Sequence, residues 1–340
     1  MTLVWGLSTV AAAQGRPDAI ERLLARAAQL EERGRGAAAE RLRLRALARA
    51  APDDGRPALA LAAALPTDPR SPRTLSSEAR EAAGRIADAL DAFASEAPRH
   101  ERRAEADRLR AWARALAGEL ERAVEQASGA AGLQDRASAE LLQRLATSAA
   151  LEDRLAIAQR ALEAAHRAWP QDNTILSELG AVALARGAPT VAIEHFQRVL
   201  GRRPTDLAAR RDLAGALVAA GRAEGAAALL SRAVAAHPDD LDLRLELAHA
   251  ALEAGDAALA ERAARAAAER LPGDDARAHA VLGSALAAAR RPAEARAAFR
   301  EALRRDDRDL RARQGLAALD GAEPPSPPLA PSPARALDAP

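Results

Sequence analysis

From residue 170 to residue 305 the apolar side chains recur three and four positions apart. Leu176, Leu179 and Val182 with Ala183 fall on one face of a first helix, and Ala192, Phe196 and Val199 on one face of a second. This helical spacing predicts amphipathic helices in pairs and no strand. Punctuation between the pairs is regular. Pro170, Pro204, Pro238 and Pro272 stand 34 residues apart, each followed two positions later by an aspartate (Asp172, Asp206, Asp240, Asp274), while Gly187, Gly221 and Gly255 recur at the same step. Each mark has its own physical job. Proline lacks an N–H and clashes with the preceding turn, so it stops a helix. Aspartate accepts the unpaired N–H groups that open the next one. Glycine enters the left-handed conformation needed between two helices.

Small residues keep the beat inside the helices as well. Gly180, Ala214 and Ala248 share one position of the first helix, and Ala192, Ala226 and Ala260 share one of the second. Both positions predict close helix approach. A unit at 139–172 keeps the phase through Leu142, Leu145, Ala146, Ala158, Leu162 and Ala165, closed by Pro170. Upstream the beat fades: residues 17–130 read as a divergent helical array with a proline-rich break at 65–74. Within it Asp18 to Ala51 predicts a hairpin turning at Gly34 and Gly36, and Leu75 to Ala97 and Arg99 to Ala127 predict two longer helices broken at Pro98. A separate helical domain is the other reading of this region.

The period, Leu179-Gly180, Ala192, Phe196 and Pro204, together with Leu282-Gly283, Ala295 and Phe299 in a later unit set off by one extra residue, resemble the tetratricopeptide repeat family. Residues 139–308 carry the resemblance, with a capping helix at 309–320. The repeat-defining positions are then Gly180, Ala192, Phe196, Pro204, Gly221, Pro238, Gly255, Pro272, Gly283 and Phe299. The resemblance implies an all-α, right-handed superhelix whose first helices line a concave groove. Transferred position by position, the groove residues are Ser177, Ala181, Arg211, Gly215, Asp242, Leu245, His249, Leu252 and Ser284. Such a groove is mostly small and uncharged, with Arg211 and His249 as polar handles. Members of the family that grip acidic C-termini use Lys and Asn where this chain has Ser177, Ala181, Arg211 and Gly215, so no carboxylate clamp of that kind is expected. Glu178, Asp212 and Glu246, also 34 apart, are expected to fill one solvated or inter-repeat slot.

Composition narrows the function. The 340-residue chain has no cysteine and no lysine, and 49 basic residues stand against 48 acidic ones for a net charge of +1. Disulfides, thiolate metal sites, phosphate loops of the GxxxxGK type and Schiff-base chemistry are thereby excluded. Near-neutral charge and 2% aromatic content argue against a nucleic-acid surface. The six histidines are scattered without an i, i+4 pair that would clamp a metal. No cofactor, metal or catalytic set is expected. Trp112 is expected to anchor the upstream core and Trp169 to pack the end of its helix. Arg41, Arg45 and Arg49 form a basic stripe that a solvated helix face explains.

Residues 1–16 resemble a signal-peptide remnant, since Leu3 to Ala13 is uncharged, ends in Ala11-Ala12-Ala13 and is too short to span a bilayer. That reading predicts a periplasmic or exported protein, the alternative being a cytoplasmic one. Residues 321–340 carry seven prolines and predict a disordered spacer. The expected function is a scaffold or adaptor that holds an extended or helical segment of another protein in its groove. An accessory or regulatory subunit of a cell-envelope, secretion or biosynthetic complex is the alternative. Neither needs nucleic acid or an integral membrane span.

Overall fold

The structure is a computed structural model that describes residues 19–33, 75–96, 103–130, 135–270 and 275–321, with residues 39, 42, 43, 46, 59, 60, 62 and 65. The expectations for residues 1–16, Gly34 and Gly36, the basic stripe, residues 66–74, Pro98, Pro272, Asp274 and residues 322–340 lie outside the described residues. Among the described residues there are fifteen helices and no strand. An alanine- and leucine-rich sequence favours this outcome, because both residues lose little freedom in a helix. The chain divides into two compact units, residues 1–175 and 176–340.

The first unit holds α1 (Ala19–Glu32), α2 (Ser77–Glu96), α3 (Arg103–Leu116), α4 (Leu120–Ala130), α5 (Arg136–Leu151) and α6 (Leu155–Ala168). Helices α2 and α3 pack through Ile86, Leu90, Phe93, Ala106 and Ala113. The single long helix expected over Arg99 to Ala127 is instead two. It breaks at Gly118, whose φ of +94° is open to glycine and costly for a residue with a Cβ. Arg114 reinforces the break: its buried guanidinium donates to Glu119 beyond the turn at 2.9 Å and to Asp91 on α2. Trp112 is buried as expected, and Arg144 of α5 lies 3.9 Å above its ring. Trp169 behaves differently. Its backbone N–H caps α6 on the Ala165 carbonyl, while the residue as a whole stays 36% exposed.

One turn recurs along the sequence and explains the glycine beat. Gly187, Gly221 and Gly255 adopt φ of +72°, +71° and +76°. In each case the following N–H reaches back five residues, as when Arg222 donates to the Leu217 carbonyl at 2.8 Å. The same bonds form at Gly118, at Asp153 (φ +60°) and at Arg290 (φ +59°). Asp153 and Arg290 therefore occupy the glycine position without being glycine. With Gly118 added, the α3–α4 pair makes the same hairpin as the later units, 35 residues before Asp153. Its register is hidden in the sequence because the next turn has Asp153 where a glycine would continue the series.

The second unit begins within α7 (Asn173–Ala185) and continues through α8 (Pro189–Arg202), α9 (Leu207–Ala219), α10 (Ala223–Ala236), α11 (Leu241–Glu253), α12 (Ala257–Ala268), α13 (Arg277–Ala288), α14 (Pro292–Arg305) and α15 (Leu310–Leu319). Asp206 and Asp240 accept the N–H of Ala209 and Leu243 at 3.1 and 2.9 Å, the capping that the aspartate beat predicts. Each helix from α8 to α15 packs on the next, and α9, α11, α13 and α15 also touch in succession. The result is an all-α solenoid of helix–turn–helix repeats, with its first helices side by side.

Side-chain size is matched across each hairpin. The Phe196 ring lies over Gly180, where an added Cβ would come within 2.6 Å of it; Phe299 lies over Gly283 at 2.5 Å and is pressed from the other side by Gly315 of α15. The equivalent residues of the two hairpins between them are Ala214 with Leu230 and Ala248 with Ala264, all in the same continuous core. A ring is accommodated only where the facing residue has no Cβ.

Candidate functional site

Because α9, α11, α13 and α15 are neighbours, residues that project from their shared face meet in one cavity of about 750 Å³. Its apolar surface comes from Ala214, Gly215 and Val218 of α9, Leu230 of α10, Leu245 and Ala250 of α11, and Ala280 and Val281 of α13. Its charged surface comes from Arg211, Asp242, Glu246, Arg277, Asp309 and Arg311. His249 completes the lining. Of the nine transferred groove positions, Arg211, Gly215, Asp242, Leu245 and His249 come together here. Ser177 and Ala181 stand on α7, away from this lining. The Ser284 hydroxyl donates to the Ala280 carbonyl of its own helix at 3.1 Å, and Leu252 packs against the core.

Six of the fifteen lining residues are charged, and Arg211 is already engaged, since its guanidinium makes a two-pronged bond to Glu246 with Nε at 2.8 and 2.9 Å from the two carboxylate oxygens. Glu246 thus fills the inter-repeat slot expected of it and also lines the cavity. Asp242 is matched by Arg277, 35 residues on, at 2.8 Å. Arg277 is held further by Asp275, and these two partners raise its pKa against a smaller opposing effect of burial. Each pair is partly exposed and contributes little to stability, about 0–1 kcal/mol. What they do is neutralise two guanidinium groups along the groove.

Arg311 is treated differently by its surroundings. Arg277, the residue at its position one repeat back, finds Asp242 one repeat earlier; Arg311 finds Arg277 there, already paired. It reaches instead across two repeats to Nε2 of His249, whose ring must be neutral to accept that bond. Desolvation by the groove walls, then the Arg311 charge, lowers the pKa of His249; Glu253 opposes weakly. Desolvation lowers that of Arg311 as well. Asp309 is the nearest acid in sequence, but its carboxylate accepts the Ala312 N–H at 2.7 Å to cap α15.

Arg277, Ala280, Val281 and Arg311 were missed by the sequence reading, although Arg277 and Ala280 repeat the positions of Asp242 and Leu245. The extra residue ahead of α13 displaces them from the 34-residue step, and only Ser284 was carried past it. Among the described residues no group of three or more His, Asp or Glu side chains could hold a metal ion, and no helix is long and apolar enough to cross a membrane.

Comparison with known proteins bears on the same stretch. Residues 183–240 and 217–285 match one tetratricopeptide repeat family model, and residues 144–206 match a second. No curated protein matches the chain. Solved structures with a similar fold include MamA 41-end from Desulfovibrio magneticus RS-1, at 21% identity over 50% of this chain and 97% of that one, with a TM-score of 0.46. A thermophilic TPR protein from Thermus thermophilus is 24% identical over 53% of this chain and 98% of its own, with a TM-score of 0.42. A tetratricopeptide repeat protein from Parabacteroides merdae ATCC 43184 covers 88% of this chain and 98% of its own at 14% identity, with a TM-score of 0.42. By these two family models residues 144–285 are tetratricopeptide repeats, a fold that serves generally as a protein-interaction scaffold.

Proposed function

We propose that the second unit binds a segment of another protein, extended or helical, in the groove formed by α9, α11, α13 and α15. The observation that carries this reading is the cavity of about 750 Å³, with an apolar base of Leu230, Leu245 and Val281 and a polar rim whose charges are largely paired. An apolar base offers burial to small side chains, at roughly 25 cal/mol per Å² removed from water. The paired rim excludes water without itself demanding a strongly charged ligand. This is how a helical array takes a peptide: apolar anchors supply affinity and rim contacts fix its register.

Leu245 is the residue to change, because a charge there meets the apolar base directly. Peptides selected from a random library by the full chain are expected to lose measurable binding to the Leu245→Glu variant. Because Leu245 also packs with Ala267 and Ala278, circular dichroism and thermal unfolding of the variant separate lost binding from a lost fold. Selected peptides that bind Leu245→Glu as well as the parent chain would place recognition elsewhere on the molecule.

A further inference from the structure

The charges that line the groove, three guanidinium groups and three carboxylates, are unevenly paired. Three guanidinium groups line it. Arg211 is matched by Glu246, and Arg277 by Asp242 and Asp275. Among the described residues Arg311 makes no ion pair with a carboxylate, and its bond is to His249. The cause is positional, since its repeat-equivalent neighbour is another arginine and the carboxylate of Asp309 is engaged in capping. Only the charges of Asp309 and Glu253, neither of them hydrogen-bonded to it, offset the desolvation of the Arg311 guanidinium, and a ligand anion bonded to it directly would relieve that cost.

We propose that the groove selects its partner segment by a single acidic side chain, held between the guanidinium of Arg311 and the imidazole of His249. This deepens the groove reading above and rests on it. The occupant is a largely apolar segment of another protein bearing one Glu or Asp. A side-chain carboxylate is the source that the stack itself points to: both matched groove arginines are matched by side-chain carboxylates of adjacent helices. On binding, Arg311 turns its N–H donors from His249 to the incoming carboxylate, a charge-assisted bond of the strong class. His249 loses the donor that kept its ring neutral and gains an anion, so it takes up a proton and becomes a second donor.

That proton uptake separates recognition by this pair from simple packing. The charged groups around His249 are Arg211 on α9, Asp242, Glu246 and Glu253 on α11, Arg277 on α13, and Asp309 and Arg311 on α15. Glu253 of α11 already favours the protonated ring, and in the free protein desolvation and Arg311 outweigh it. A bound carboxylate offsets Arg311. The pKa of His249 is therefore higher in the complex than in the free groove, and affinity rises as pH falls between the two values.

The test uses the full chain and the library peptides selected by it, remade with both termini blocked so that only side chains carry charge. Each Glu or Asp is replaced in turn by Gln or Asn. One acidic position is expected to dominate, its replacement weakening binding about tenfold, the scale of one charge-assisted hydrogen bond. Arg311→Gln is expected to erase that difference and Arg311→Lys to retain part of it. Affinity for the acidic peptide is expected to climb several-fold from about pH 8 to about pH 6, with the Gln twin flat and His249→Gln abolishing the slope. Thermal unfolding of each variant separates a lost contact from a lost fold.

Selected peptides that tolerate every acid-to-amide replacement within about twofold overturn the subsite and leave the groove reading standing. So does an acid preference that survives in Arg311→Gln. A library that yields no peptide dependent on Leu245 overturns both.

Discussion

The hairpins α7–α8 and α13–α14 and the two between them solve one packing problem in opposite ways. The outer two place a fully buried phenylalanine, Phe196 or Phe299, against a glycine. The inner two place Leu230 or Ala264 at the same position against an alanine. Backbone geometry repeats while a ring stands only opposite a glycine and a leucine opposite an alanine, the Ala248–Ala264 pair alone being small on both sides, so neither residue of a pair can be judged alone. Interiors are packed to near-crystalline density, and a methyl group added on one side must be removed on the other.

Substitutions that break this trade rank by how much volume they disturb. Phe196→Ala gives the α7–α8 hairpin the alanine that Ala264 supplies naturally but leaves Gly180 opposite, so a void remains. A loss of about 3–5 kcal/mol is expected in denaturant unfolding, the range for emptying a buried aromatic site. Gly283→Ala comes next. Its Cβ would stand 2.5 Å from a ring that Gly315 blocks on the other side, and a loss of about 1–3 kcal/mol is expected. Phe299→Leu in the same chain should recover most of that loss by recreating the pairing of Ala214 with Leu230. A double mutant as unstable as the sum of the singles would show that the two sites are independent.

The turns offer a milder comparison. Gly187, Gly221 and Gly255 are at ease with positive φ, whereas Asp153 and Arg290 hold nearly the same angle with a Cβ. Arg290→Gly should therefore stabilise the chain by about 0.5–1 kcal/mol, read as a rise in melting temperature. The smallest effect concerns pH. The Arg277 guanidinium, with backbone hydrogen bonding and against the effect of burial, holds the Asp275 carboxyl below its usual range. Its folded pKa being depressed, Asp275 contributes stability at neutral pH that fades as pH falls through that value. Asp275→Asn should lower stability slightly near neutrality, and the difference from the parent chain should vanish in acid.

The trade was only half visible in the sequence. Gly180 and Ala192 stand out as small residues in a repeating slot, and Phe196 as a large one, which is enough to predict close helix approach. That Gly315 belongs to the same packing unit as Phe299 is not written in any period, because one repeat back its position is held by Val281 and not by the repeating Gly283. The break at Gly118 was missed for a similar reason. A helical apolar pattern runs through it, and only the hydrogen bonds back to Ala115 and Arg114 reveal the turn.

Sequence by itself determined the hairpins, since stop, cap and turn residues act on their nearest neighbours along the chain and need no tertiary partner. It also determined that Arg211, Gly215, Asp242, Leu245 and His249 share one face, because a fixed repeat brings equivalent positions into line. Which charges neutralise one another was left to the tertiary structure. Ion pairing depends on side chains 35 residues apart, and the hydrogen bond of Arg311 to His249 on side chains 62 residues apart, meeting across helices. A one-residue insertion ahead of α13 is enough to change which of them meet.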